Sequence, residues 1–126
     1  MANKTLDIKL NLNATDPING VLTLNDVKNQ GVIYDDGTVR TASVSAPSGS
    51  STQLVAAVGS STKVVYTYIK NTDTTNFLVL KNDAGNVWGK LLPGEFSIIS
   101  VAEVAGLEIQ ADTAAIVIDY ALFTSP

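Results

Sequence analysis

Residues 63–101 read KVVYTYIKNTDTTNFLVLKNDAGNVWGKLLPGEFSIISV, and the rhythm of this stretch decides the fold. Short runs rich in β-branched and aromatic side chains, Lys63 to Lys70, Asn76 to Lys81, Val87 to Leu92 and Phe96 to Val101, fit a pleated surface. Between them stand Asn71-Thr72-Asp73-Thr74-Thr75, Asn82-Asp83-Ala84-Gly85-Asn86 and Leu92-Pro93-Gly94-Glu95. These separators supply side chains that bond their own backbone and residues that accept positive φ, which tight turns require. Pro93-Gly94 reads as the centre of a type II turn, with proline presetting one φ and glycine accepting the other.

Working outward, Gln53 to Val58 precedes this block, and Leu107 to Ala111 and Ala114 to Phe123 follow it. Seven short strands at this spacing predict an antiparallel β-sandwich of jelly-roll-like form. Only Ile99 to Leu107 approaches helical apolar spacing, and Gly106 interrupts it, so at most one short helical turn is expected there. Ala46-Pro47-Ser48-Gly49-Ser50-Ser51-Thr52 has little to bury and much backbone entropy to lose, the composition of a linker. The expected organisation is therefore an N-terminal β arm over residues 1–45, a linker over 46–52 and the sandwich over 53–126.

Within the arm, Leu6, Ile8, Leu10 and Leu12 alternate with Asp7, Lys9 and Asn11, the period-2 signature of one strand over residues 5–13 with a single apolar face. Asp16-Pro17-Ile18-Asn19-Gly20 is turn chemistry, and a strand near Val21 to Leu24 should follow. Gly31 to Tyr34 and Thr38 to Val44 read as a hairpin joined by Asp35-Asp36-Gly37, since Asp-Gly suits the primed turns that match strand twist. Leu6, Ile8, Leu10 and Leu12 would each contribute roughly 1.5–3 kcal/mol on full burial, so the row is expected to contact a partner surface.

Composition narrows the function classes. A 126-residue chain holds one core of ordinary size. With a net charge of −4 and its lysines and single arginine scattered singly, it has no cluster able to neutralise a row of phosphates, so nucleic acid is not an expected partner. No stretch approaches the roughly 18 apolar residues of a membrane span, and the first seven residues lack the apolar core of a signal peptide, so the expected place of synthesis is the cytoplasm.

Cysteine and histidine are absent, which removes the usual Ser-His-Asp and Cys-His nucleophile pairs and most zinc and haem sites. No catalytic residue, cofactor or metal is expected. Ser60 or Ser61 with Lys63 sits in a serine-rich turn. Glu95, Glu103, Glu108, Asp112 and Asp119 read as solvated strand and turn residues, and Asp35-Asp36 and Asn82 to Asn86 as turns. Gly85 to Leu91 lacks the spacing of a phosphate loop. Tyr66 and Tyr68 lie two apart and share a strand face. With Trp88 they form either a platform for stacking on a sugar or a core or subunit contact.

Tyr66-Thr-Tyr-Ile-Lys-Asn-Thr-Asp73, Phe77-Leu-Val-Leu80, Leu91-Leu-Pro-Gly-Glu-Phe96, Gly106-Leu-Glu-Ile-Gln-Ala-Asp112 and the closing run Ala114 to Phe123 together resemble the small β-sandwich virion proteins of tailed phages. The resemblance spans a little under half of the chain. It implies a capsid decoration or cement protein on the virion exterior, trimeric, with an extended arm clamping the major capsid protein and no chemistry of its own. The alternative it leaves open is a receptor- or carbohydrate-binding module of a head or tail fibre.

Overall fold

The structure, a computed structural model, describes residues 48–126 throughout and, before them, the backbones of five strands spanning 4–6, 9–16, 20–27, 32–34 and 42–46. Among the described residues every regular element is a strand, and no helix is long and apolar enough to cross a membrane. In chain order the strands are β1 (Lys4–Leu6), β2 (Lys9–Asp16), β3 (Gly20–Val27), β4 (Val32–Tyr34), β5 (Ala42–Ala46), β6 (Thr52–Val55), β7 (Val64–Asn71), β8 (Leu78–Lys81), β9 (Val87–Leu91), β10 (Phe96–Ala102), β11 (Leu107–Ala111) and β12 (Ile116–Thr124).

Strands β5 to β12 form two antiparallel sheets, ordered β10-β7-β12-β5 and β6-β11-β8-β9. The pairings β5 with β12, β6 with β11, β7 with β10 and β8 with β9 follow one another as a single antiparallel ribbon. Folding that ribbon over brings β7 beside β12 and β8 beside β11. This strand order is that of an eight-stranded jelly roll.

Alternation along the strands makes the core. β7 alternates half-buried and buried residues from Val64 to Asn71, and β11 alternates in the same way from Leu107 to Ala111. Ile69 and Ile118 from the first sheet and Leu78, Leu107 and Ile109 from the second are fully enclosed, so the core lies between the sheets. Among the described residues, two buried ones are polar. Thr67 donates its hydroxyl to the Val65 carbonyl at 3.2 Å. Asn71 donates from Nδ2 to the carbonyls of Asn76 (2.9 Å) and Leu91 (3.2 Å), while its Oδ1 accepts the Asp73 amide at 3.0 Å.

The turns follow their chemistry. Gly94 takes φ 79, and the Glu95 amide donates to the Leu92 carbonyl at 3.0 Å, the geometry of a type II turn at Pro93-Gly94. The Glu95 carboxylate accepts the Leu92 amide at 2.7 Å and closes the turn. Over Ile99 to Leu107, where at most one helical turn was expected, β10 runs on to Ala102, and a tight turn carries the Ala105 amide to the Ala102 carbonyl at 2.9 Å. Gly106 then enters β11 at φ 67, with the Val55 carbonyl oxygen only 2.9 Å from where a Cβ would stand.

Three expectations for the N-terminal part meet a different arrangement. The strand expected over residues 5–13 is divided: β1 pairs with β4, β2 pairs with β3, and Asp7 and Ile8 lie outside the described residues. The hairpin expected between residues 31 and 44 does not pair its own two strands, because β4 takes β1 and β5 takes β12. Asp35-Asp36-Gly37, the expected joint, lies outside the described residues, and β12 offers β5 a partner flanked by the buried Ile116 and Ile118. Consequently Ala42–Ala46 belongs to the first sheet of the sandwich. Residues between β5 and β6, expected as a linker, cross from one sheet to the other. There the Ser48 carbonyl accepts Gln110 Nε2 at 2.7 Å, and Gln110 Oε1 accepts the Lys81 ammonium and the Ser51 hydroxyl.

Candidate functional site

Period-2 alternation that buries Val65, Thr67 and Ile69 turns Tyr66, Tyr68 and Lys70 to the outer face of the first sheet. Register then builds rows across three strands. Ser100, Tyr66 and Phe123 stand opposite one another, as do Ile98, Tyr68 and Ala121, and then Phe96, Lys70 and Asp119. The first two rows hold no charged side chain.

The face is exposed where β10 edges the sheet. Phe96 is 61% and Ile98 46% accessible, high values for large apolar side chains. The Tyr68 and Phe96 rings lie with centroids 6.3 Å apart at an interplanar angle of 38°. Beside the apolar rows, Lys70 and Asp119 place opposite charges on neighbouring strands. The face thus presents an apolar stripe bordered by both signs.

Tyr66 and Tyr68 share this face, as their spacing predicts. Trp88 does not join them. It lies on β9, the edge strand of the other sheet, at a bulge: Leu80 pairs with Gly89 and Lys81 with Val87, leaving Trp88 as the extra residue. It is exposed there, while toward the other end of β9 Lys90 sets its ammonium 3.6 Å above the Phe77 ring. Phe96, Ile98 and Phe123 complete the aromatic and apolar surface instead. Their common period with Tyr66 and Tyr68 was present in the sequence, but only strand pairing shows which residues become neighbours.

Of the arm residues, Leu6 lies on β1, Leu10 and Leu12 on β2, with Leu12 opposite Leu24 and Leu10 opposite Asp26. They therefore stand on two pairs of strands rather than in one row. Among the carboxylates, Glu95 closes the Pro93-Gly94 turn, Glu103 lies in the turn after β10, Glu108 on β11, Asp112 after it, and Asp119 on the outer face of the first sheet. No three acidic side chains gather among the described residues. Ser61 Oγ donates to Glu103 Oε2 at 3.2 Å and accepts the Lys63 amide at 3.1 Å, so this serine shapes its turn. Comparison with known protein families, curated proteins and solved structures finds no match to this chain.

Proposed function

We propose that this protein is a structural component of a virus particle, a decoration or cement protein that associates with copies of itself, as a trimer, on the outer surface of a capsid. The observation that carries the associative part is the outer face of the first sheet, where Phe96 and Ile98 leave large apolar surface in water beside Tyr66, Tyr68 and Phe123. Contiguous apolar surface rimmed by polar groups suits protein contact. Because Lys70 and Asp119 border it with both signs, the face does not repel a second copy of itself.

The virion part rests on the phage-protein resemblance, supported by a jelly roll, an architecture used by viral capsid and lectin domains but by other proteins as well. In this reading the sandwich joins copies, and the strands before β5 engage the major capsid protein. Weak contacts multiplied by symmetry then hold the shell.

Light scattering tests the first part. A mass near three times 13.2 kDa at micromolar concentration is expected, and a monomer mass overturns it. Sedimentation with undecorated phage capsids tests the second, where saturable co-sedimentation is expected and its absence rejects the assignment.

A further inference from the structure

The two sheets part along the side where β6 faces the end of β12. β5 pairs with β12 only from Ile116 to Tyr120, and no described strand flanks residues 121–124 on that side. A cavity of about 330 Å³ opens there, within the range of small-molecule sites. Leu54, Val55, Val65 and Leu122 line it with hydrocarbon, and Glu103, Tyr120 and Thr124 bring polar groups.

Glu103 is held from three directions. Its amide donates to the Lys63 carbonyl at 3.1 Å, its carbonyl accepts the Val58 amide at 3.0 Å, and its Oε2 accepts the Ser61 hydroxyl at 3.2 Å. No lysine or arginine among the described residues pairs with its carboxylate. The result is a fixed anion on the wall of a cavity lined by both hydrocarbon and polar groups, which favours a cation carrying hydrocarbon.

We propose that this cavity binds a primary alkylammonium group, its ammonium on the Glu103 carboxylate and its methylenes between Leu54, Val65 and Leu122. Tyr120 and Thr124 line the same space, and their side chains carry hydroxyls of the kind that accept N–H bonds. An ammonium needs a single acceptor oxygen, and the Ser61 bond, which goes to Glu103 Oε2, leaves Oε1 for it. An alkyl carboxylate meets no lysine or arginine among the described lining residues. The inference does not depend on the assembly reading, since the cavity lies between the sheets rather than on the outer face.

Titrating the isotope-labelled full chain with n-pentylamine at neutral pH, and following backbone amide shifts, tests it. Saturable shifts centred on Val55, Glu103 and Leu122 are expected, with 1-pentanol binding about tenfold more weakly and pentanoate not at all. Glu103→Gln should bring the amine down to the affinity of the alcohol, and Val58→Trp at the rim should weaken both. Displacement by Nα-acetyl-lysine methylamide assigns the ammonium to a partner's lysine, and failure to displace assigns it to a free amine; either supports the site. If the amine binds wild-type protein no more tightly than pentanol, or its shifts lie away from the cavity, the proposal is overturned. That comparison needs no variant to fold.

Discussion

Tyr68 and Phe96 touch diagonally across the β7–β10 pair, their rings 6.3 Å apart on the outside of the sandwich rather than within its core. Cross-strand aromatic contact of this kind stabilises a sheet by up to about 1 kcal/mol. It does not remove Phe96 from water. Phe96→Asp or Ile98→Asp should therefore leave thermal stability within about 1 kcal/mol of wild type. If copies associate through this face as proposed, either should also leave the protein monomeric, because a charge at such a contact loses its hydration. Unchanged mass by light scattering would place the contact elsewhere.

Asn71 ties the end of β7 to the following loop and to the end of β9 through both atoms of its amide. Its backbone also joins the Pro93-Gly94 turn, the Gly94 amide donating to the Asn71 carbonyl at 3.0 Å. Asn71→Ala strands two carbonyls and one amide near the core and should cost about 2–4 kcal/mol in urea unfolding.

Gly106 combines a left-handed backbone with a neighbour that leaves no room, the Val55 carbonyl oxygen at 2.9 Å from a Cβ position. Gly106→Ala should destabilise by about 2 kcal/mol or more, whereas Gly59→Ala, with open space around it, should lie within about 0.5 kcal/mol. Thermal melts of the two variants make the comparison.

Asp73 is held below its ordinary pKa of 3.8, chiefly by the Asn76 backbone N–H, with those of Thr75 and Thr74 adding and desolvation opposing. A carboxyl with a depressed folded-state pKa stabilises above its unfolded value, and that contribution fades as pH falls through the folded value. The stability difference between wild type and Asp73→Asn should stay constant around neutrality and shrink below 3.8. A difference that persists unchanged in stronger acid would contradict this.

Pairing of β5 with β12 sets where the chain can be shortened. A chain starting at Ala42 keeps the first sheet four strands wide, whereas one starting at residue 47 uncovers the β12 edge beside Ile116 and Ile118. The shorter chain should unfold at a temperature lower by more than about 5 °C, measured by circular dichroism.

By itself the sequence determined where strands lie between residues 52 and 124, because alternation in Val64 to Asn71 and turn chemistry at Pro93-Gly94 act over a few neighbouring residues. Tyr66 and Tyr68 on one face followed from the same period. Which strand lies beside which was decided only in the tertiary structure, since Ala42 meets Tyr120 across most of the chain, next to the buried Ile116 and Ile118. For the same reason Phe96, Ile98 and Phe123 join the tyrosines while Trp88 lies on the other sheet, and Gln110 reaches Ser48 and Lys81. A strand carries its period in its own residues, but its neighbours are set by whichever pairing of distant segments buries the most apolar surface with every backbone group bonded.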